Sequence, residues 1–333
     1  MSPLPTKAHS TNPLSIPEAH QLLRRTRREL ERGLVGQDAL VQGLLVGLVA
    51  NGHLLIEGVP GLGKTRGVNL LARACQLAFK RLQFTPDLLP ADILGTRIYN
   101  QQSGTFETVK GPIFANFVLA DEINRAPAKV QSALLETMQE RQVTIGQESL
   151  PVSPPFLVVA PQNPVEQEGT YPLPEAQLDR FLLKLVVTYP EANREADIVR
   201  LVLDEEELPA VEHHLEQDEV LALQATAREI FLEKKVVAYG VSLVQATRDP
   251  SKAGLGSAQY LELGASPRAS IALAQAARAT ALLDGRKAVT PDHVKAVAHS
   301  VLRHRLILTY YAEAEGVTPD QIIDELLATV PVP

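Results

Sequence analysis

Cysteine and tryptophan are nearly missing from this sequence of 333 residues, which has one of the former and none of the latter, and long apolar runs are lacking too. The single Cys75 excludes a disulfide framework and a cysteine-based zinc site, and it suits a reducing cytoplasm. The best candidate for a membrane span, residues 39–50, is interrupted by Gln42 and falls short of the roughly 18–20 apolar residues that a span needs. We therefore expect a cytoplasmic protein with no stable membrane insertion.

An excess of basic charge is also missing, since 32 Lys and Arg stand against 39 Asp and Glu, for a net charge of −7. This balance argues against a protein that coats nucleic acid, and it leaves a local basic groove open. With 45% hydrophobic and 21% charged residues, the composition excludes a disordered chain, and the length suits about two domains. Residues 1–14 are polar, carry three prolines and lack the apolar centre of a signal peptide, so we expect a flexible N-terminal tail.

Short apolar runs alternate with amphipathic stretches between residues 52 and 188, a pattern typical of a parallel sheet with helices on both faces. Helices are predicted from Lys64 to about Phe79 and around Val130–Met138, and a hairpin with Gly146 in its turn is predicted over 142–147. The four predicted strands are His53–Ile56, Phe117–Ala120, Phe156–Ala160 and Leu182–Val187.

Beyond residue 190 the pattern becomes almost purely helical. Three helix starts there share one design, a hydroxyl at the cap position followed by proline, and they lie at Ser266, Thr290 and Thr318. Near the other end of the chain, a capping box at Ser15 predicts the start of the first helix. The predicted fold class is therefore α/β, with a sheet domain over 15–190 followed by a smaller all-helical domain over 191–333.

A glycine-rich segment between the first predicted strand and the following helix matches the phosphate-loop pattern G-x-x-x-x-G-K-S/T. Glycines let the backbone wrap a phosphate, and the helix N-terminus adds positive charge. Lys64 is expected to reach the β- and γ-phosphates, and Thr65 to hold Mg²⁺ through its hydroxyl. A glycine turn of purely structural role is the alternative, but the strand before it and the helix after it favour nucleotide binding. The residues predicted to bind the nucleotide are Gly58, Val59, Pro60, Gly61, Leu62, Gly63, Lys64 and Thr65.

Two carboxylates follow the second predicted strand, at the edge where open parallel sheets bind ligands. Asp121 suits the Mg²⁺ shell, and Glu122, one residue on, suits polarising a water for attack on the γ-phosphate. A strand that ends in Asp-Glu is common, and by itself it would carry little information. After a phosphate loop in the same sheet, a catalytic role is the favoured interpretation.

Three further polar residues occupy positions that suit phosphate chemistry. Asn163 follows the third strand and could hydrogen-bond the γ-phosphate or the attacking water, with a turn-capping role as the alternative. Arg180 lies just before the fourth strand, where an arginine that acts across a subunit boundary would stabilise transferred charge; a salt bridge to Asp179 or another surface acid is the alternative. Arg268 lies in the first turn of a helix, where the helix dipole disfavours a cation, so a compensating nucleotide phosphate is expected.

With these motifs in order, the chain resembles the AAA+ ATPases and, within them, the MoxR family, from about Leu34 to the C-terminus. The resemblance implies a P-loop NTPase domain, built from a parallel sheet covered by helices, and a smaller all-helical lid domain. Its most specific segments are Gly58–Thr65, Ala120–Ala126, Gln162–Pro164, Glu175–Phe181 and Glu262–Arg268.

The resemblance also implies a role for each matching residue, with ATP and Mg²⁺ as cofactors. Gly36 and Gln37 belong to a segment that would abut the adenine. The implied metal ligands are Thr65 and Asp121. In the family's terms, Gly58–Thr65 is the Walker A loop with its catalytic Lys64, Asp121 and Glu122 are Walker B, Asn163 is the first sensor, Arg180 is the arginine finger acting in trans, and Arg268 is the second sensor on the lid.

A finger that acts in trans implies a ring, typically a hexamer, with each nucleotide between neighbouring subunits. Two family insertions are expected, at about 84–110 in the second helix and at about 142–152 before the first sensor. They are implied contacts for a substrate or partner, and packing within the ring is the alternative. The implied partner is a protein client, commonly one with a von Willebrand factor A domain, and nucleic acid is not expected.

Two residues depart from the family pattern. Pro161 stands where threonine is usual, which removes a polar side chain near the γ-phosphate. Arg66 follows Thr65 at a position where an apolar residue is commoner. The first departure bears on the fine tuning of hydrolysis.

The leading hypothesis is a Mg²⁺-dependent ATPase that remodels or matures a partner protein. One alternative is a nucleic-acid motor of the same superfamily, which the acidic net charge disfavours. The other is a nucleotide-gated scaffold with slow turnover. Glu122 argues against the scaffold, because a pure binding module has no need of a water-activating acid.

Overall fold

The computed structural model describes residues 12–59, 61–163, 171, 173–190, 194–195 and 210–333. Its strands are β1 (Leu54–Glu57), β2 (Phe79–Gln83), β3 (Gly95–Asn100), β4 (Thr105–Lys110), β5 (Phe117–Asp121), β6 (Gln142–Ile145), β7 (Glu148–Pro151), β8 (Leu157–Gln162), β9 (Leu183–Val186), β10 (Leu261–Leu263) and β11 (Ile307–Leu308). Five of them form a parallel sheet in the order β2-β5-β8-β1-β9. The others form three antiparallel pairs, β3–β4, β6–β7 and β10–β11.

Helices cover the sheet and make up most of the chain after it. They are α1 (Ile16–Gly33), α2 (Asp38–Ala50), α3 (Lys64–Ala74), α4 (Pro90–Leu94), α5 (Ala128–Glu140), α6 (Glu175–Leu178), α7 (Gln217–Glu229), α8 (Lys234–Arg248), α9 (Pro250–Ala253), α10 (Pro267–Leu283), α11 (Pro291–Leu302), α12 (Tyr310–Glu315) and α13 (Pro319–Thr329). Short 3₁₀ turns lie at Ile123–Arg125 and Gly256–Tyr260. The predicted fold class is confirmed, and the pair β10–β11 is a small addition within the helical region.

Helix starts in the structure follow the capping signals of the sequence. The Ser15 hydroxyl accepts a hydrogen bond from the Glu18 amide, and the Glu18 carboxylate accepts one from the Ser15 amide. The Ser266 hydroxyl likewise accepts from the Arg268 amide, and Thr290 and Thr318 cap α11 and α13. These bonds satisfy amide groups that the first turn of a helix leaves without a partner.

The region after the phosphate loop differs from the prediction. The helix from Lys64 ends at Ala74 instead of continuing to about Phe79, and Phe79 begins the edge strand β2. Gln76 has a positive φ of 47°, which turns the chain out of the helix. The mostly polar strand β2 has little intrinsic signal, and its pairing along β5, from Phe79 opposite Phe117 onward, stabilises it in the sheet.

Both predicted insertions contain a hairpin. Gly146 has a φ of 65° in the turn of β6–β7, as expected for the hairpin at 142–147. The segment 84–110 contains α4 and the hairpin β3–β4, which the sequence did not indicate. Apolar and polar side chains do not alternate strictly in Thr105–Lys110, so the strand signal of this hairpin in the sequence is weak.

Two hydrophobic clusters cover the two faces of the sheet. In β1, Leu54 and Ile56 belong to the first cluster and Leu55 to the second, because successive side chains of a strand point to opposite faces. The first cluster also contains Leu23 of α1 and Leu273 of α10. The C-terminal helical region therefore shares a continuous core with the N-terminal helices and the sheet.

Parts of the predicted domain division lie outside the described residues. These are residues 1–11 of the expected tail, and 191–193 and 196–209 next to the expected boundary at 190–191. The division into 15–190 and 191–333 stays a prediction. None of the described helices has the length and apolar character to cross a bilayer.

Candidate nucleotide site

The carboxyl ends of β1, β5 and β8 meet at one edge of the parallel sheet, as the sequence predicts. Gly58 follows β1, Glu122 follows β5 and Asn163 follows β8. A cavity of about 510 Å³ opens there, within the range of small-molecule sites. The predicted site residues that line it are Gly61, Gly63, Lys64, Thr65, Asp121, Glu122 and Asn163.

The glycines of the loop have two different physical reasons. Gly61 and Gly63 have φ values of 86° and 77°, in the left-handed region that favours glycine. At Gly58 the reason is space, since a Cβ there would lie 2.7 Å from the Val187 carbonyl oxygen. The loop therefore brings the N-terminus of α3 to the cavity, and Lys64 and Thr65 open that helix. Helix N-termini bind anions well because their amides are unpaired and the dipole is positive there.

Three charged residues that line the cavity are held by partners from the same chain. The Lys64 ammonium donates to the Gly58 carbonyl and, over 3.1 Å, to the Gln162 carbonyl. Asp121 accepts a hydrogen bond from Arg81 Nε over 3.0 Å. Glu122 forms an ion pair of 2.9 Å with Arg125 Nε.

The two partner arginines are functional candidates that the sequence analysis missed. Arg81 lies on β2, and because no strand was predicted after the helix that ends at about Phe79, its position beside Asp121 could not be predicted. Arg125 lies three residues after Glu122 in a 3₁₀ turn, so the spacing was an available signal. Glu122 itself has a φ of 56°, a strained value for a side chain with a Cβ and a type of strain that clusters at functional sites.

The residues present fit a nucleotide with Mg²⁺. The Asp121 carboxylate and the Thr65 hydroxyl line the same cavity and offer the hard oxygen ligands that Mg²⁺ prefers. A Cβ built at Gly61 meets nothing within 4 Å, so the loop backbone is open to a ligand. The lysine and the helix N-terminus supply positive charge to the same cavity.

The two predicted arginines lie together at a second cavity of about 360 Å³, and neither is among the described residues that line the first. Arg180 Nη1 and Arg268 Nη2 both donate to the Gln139 side-chain oxygen, the latter over 3.3 Å. Arg141 and Arg305 line the same cavity. Four guanidinium groups around one cavity make it an attractive place for an anion.

Asp179, the predicted alternative partner of Arg180, is engaged elsewhere. Its carboxylate accepts from Arg305 Nε over 2.7 Å and from the Ser266 hydroxyl over 2.7 Å. Arg305 is 7% exposed, and its burial lowers the pKa of the guanidinium, an effect that the hydrogen bond to Asp179 opposes. The bond from Ser266 ties the segment after α6 to the start of α10, so it fixes the backbone on which both Arg180 and Arg268 stand.

Comparison with known proteins shows the family to which the chain belongs. A model described as the ATPase family associated with various cellular activities (AAA) matches residues 53–183, and a model for the AAA lid domain matches residues 255–326. Chaperone MoxR1 of Mycobacterium tuberculosis is 50% identical over 318 residues, which cover 95% of this chain and 83% of that protein. Protein MoxR of Methylorubrum extorquens is 33% identical over 331 residues, which cover 93% and 94%. The chain belongs to the MoxR family of AAA+ ATPases.

The MoxR assignment confirms the resemblance that the sequence motifs indicated. A crystal structure of a Cytophaga hutchinsonii protein, provisionally assigned as an ATPase, has the same fold, with a TM-score of 0.88 and 46% identity over 96% of this chain and 97% of that one. The sheet with its helical lid is therefore the fold of this MoxR chain.

The other predicted binding residues that the structure describes are not among those that line the phosphate cavity. Gly36 has a φ of 71°, and a Cβ there would lie 3.0 Å from the Arg194 Cβ. Gln37 is the N-cap residue of α2 and donates from its side chain to the Thr188 carbonyl over 3.4 Å. Leu62 packs against the first hydrophobic cluster, Val59 is half-buried, and Pro60 lies outside the described residues.

Proposed function

We propose that this MoxR-family chain hydrolyses ATP with Mg²⁺ in a ring of identical subunits and uses the cycle to remodel a partner protein. The observation that supports the proposal best is that the two predicted catalytic arginines lie at a different cavity from the phosphate loop. Arg180 and Arg268 share an acceptor at a cavity that none of the described phosphate-loop residues lines. In a ring, a neighbouring subunit would bring its nucleotide to these arginines.

Within one subunit, the residues of the first cavity would bind the nucleotide with Mg²⁺ and activate the attacking water. Lys64 would exchange its two carbonyl partners for the β- and γ-phosphates, and Asn163 would hold the γ-phosphate or the attacking water. Thr65 and Asp121 would hold Mg²⁺, which supplies charge neutralisation across the phosphates. Glu122 would accept the proton of the attacking water, which requires its carboxylate to leave Arg125.

Between subunits, Arg180 would act as the finger and Arg268 as the second sensor, both on the neighbour's phosphates. Arginines of this kind accelerate phosphate transfer by about 10³–10⁵ in known systems. A head-to-tail contact of this sort closes into a ring when the rotation permits, and a hexamer is the size implied by the family. Gln139 would hold the two guanidinium groups side by side until a phosphate replaces it.

The hairpins of the two insertions are the proposed contacts for a client. They touch each other, since the Thr108 hydroxyl donates to Glu148 over 3.2 Å. On β3–β4, Tyr99 and Phe106 are 52% and 59% exposed, with ring centroids 5.2 Å apart. Exposed aromatic pairs of this kind favour a polypeptide partner over nucleic acid in a protein of net negative charge. The family implies a client with a von Willebrand factor A domain, met in the cytoplasm.

Mixing two inactive variants tests the proposal. Lys64→Ala should lose nucleotide binding, and Arg180→Ala should bind ATP and fail to hydrolyse it. In an equimolar mixture, about a quarter of the interfaces would pair an intact Lys64 with a neighbour's intact Arg180, so ATP hydrolysis should reappear. As a control, a chain that carries both substitutions should restore nothing when it is mixed with Arg180→Ala.

A mixture without activity, while wild-type chains hydrolyse ATP, would contradict the action in trans. The client is then sought with Glu122→Gln, which should bind ATP and hold it unhydrolysed, so that the conformation that grips a partner accumulates. A protein with a von Willebrand factor A domain in the bound fraction would support remodelling, whereas nuclease-sensitive DNA or RNA would favour a nucleic-acid motor. Turnover near zero in assembled wild-type rings would favour the scaffold.

A further inference from the structure

Arg66 is a residue of the phosphate cavity that neither the proposed mechanism nor the family pattern uses. It is the third residue of α3, directly after Lys64 and Thr65, and it lines the same cavity. Its Nε donates to the carbonyl of Gly33, the last residue of α1, over 3.0 Å. The guanidinium is therefore anchored at one nitrogen and fixed in direction.

A second nitrogen of the same guanidinium lacks a partner. Arg66 Nη2 is buried, and among the described residues it has no acceptor within hydrogen-bond distance. A buried donor without an acceptor is costly, and more so when it carries charge. The other four charged residues that line the cavity all have partners within the chain; they are Lys64, Asp121, Glu122 and Arg125. A bound ligand could therefore supply the acceptor that Arg66 Nη2 lacks.

The position along the helix selects which part of a nucleotide this acceptor is. Lys64 and Thr65 are the residues expected at the β- and γ-phosphates and at the metal. Arg66 is the next residue, turned by about 100° around the helix axis and held toward the end of α1. Gly36, which the family places near the adenine, follows that end of α1 by three residues. Between these two sites lies the phosphate nearest the sugar, and a guanidinium is well suited to a phosphate oxygen.

We propose that Arg66 Nη2 donates to the α-phosphate of a bound nucleoside di- or triphosphate while Nε stays on Gly33. The inference rests on the proposed nucleotide binding and adds a contact that the resemblance does not predict, because an apolar residue is commoner at this position. The contact would also connect the ligand directly to α1, which packs in the same core as the lid helix α10.

Calorimetric titration of the full chain with ADP tests the contact. Arg66→Met should weaken ADP binding by about tenfold, the typical effect of losing one hydrogen bond to a charged group. The same substitution should weaken the binding of inosine diphosphate, which has another base and the same diphosphate, by the same factor. Arg66→Lys, which keeps the charge and loses the forked geometry, should show a smaller loss. Arg73→Met, on the exposed face of the same helix, is the matched control and should bind as the wild type does.

Three results would overturn the contact. Arg66→Met and Arg66→Lys could both bind ADP as tightly as the wild type, the loss could be confined to one of the two bases, or the variants could lose thermal stability with unchanged affinity. Lys64→Ala separates this failure from that of the proposed function. If the wild type and Lys64→Ala bind ADP equally well, nucleotide binding at this loop is itself refuted. If only Lys64→Ala loses ADP, the proposed function stands and Arg66 is removed from it.

Discussion

The buried His53 leads to a quantitative prediction about pH. It lies just before β1, is 5% exposed, and uses both ring nitrogens. Nδ1 accepts the Val158 amide over 3.0 Å, so the ring proton must be on Nε2, which lies 3.0 Å from the Met138 carbonyl oxygen. A second ring proton would face the Val158 amide. Burial, reinforced by the charge of Arg141, lowers the pKa of His53 to about 3.

The sign of the pH effect follows from this shift. In the unfolded chain His53 binds a proton below the ordinary histidine pKa of about 6.5. In the folded protein it binds a proton only when the pH approaches 3. The unfolded state therefore gains stability as the pH falls below about 6.5. Between about pH 7.5 and pH 5 the difference amounts to roughly 1.5 pH units of proton binding, or about 2 kcal/mol of lost unfolding free energy.

Urea unfolding at several pH values measures this loss. We expect the free energy of unfolding of the wild type to fall by about 2 kcal/mol more than that of His53→Gln between about pH 7.5 and pH 5. The variant is less stable at neutral pH and has the shallower dependence. His304, whose pKa burial also lowers, titrates alike in both proteins and cancels. A difference between wild type and His53→Gln that stays flat over this range would refute the reasoning.

Three further substitutions have expected outcomes. Gly58→Ala places a Cβ 2.7 Å from the Val187 carbonyl oxygen, so the loop must shift, and titration should show roughly tenfold weaker ADP binding in a folded protein. Arg305→Met leaves the Asp179 carboxylate without its cation, and urea unfolding should show a loss of about 3 kcal/mol. Gln139→Leu removes the acceptor that two arginines share, so steady-state ATP hydrolysis should fall by about tenfold while ADP affinity is unchanged. Unchanged ADP affinity in the first, unchanged stability in the second or full turnover in the third would contradict the corresponding argument.

The sequence predicted the features that depend on local pattern and on sheet geometry. The phosphate loop has its glycines where φ or space requires them, and the parallel strands bring Asp121 and Asn163 to the same edge as the loop. Strand β2 was missed because its residues are mostly polar and its stability comes from pairing with β5. Arg81 was missed with it. The sharing of Gln139 by two arginines depends on how α5 meets α10, which no single segment of the sequence encodes.

Helix α5 connects the turn that holds the partner of Glu122 with the residue that holds the two arginines. Its first residue, Ala128, comes three positions after Arg125, the partner of Glu122, and Gln139 is its penultimate residue. Thirteen helical residues span about 20 Å as one stiff rod. When Glu122 leaves Arg125 at one end, a displacement of the rod would move the acceptor of both arginines at the other. In the proposed ring, each subunit would then report its own nucleotide state to the neighbour whose phosphates its arginines contact.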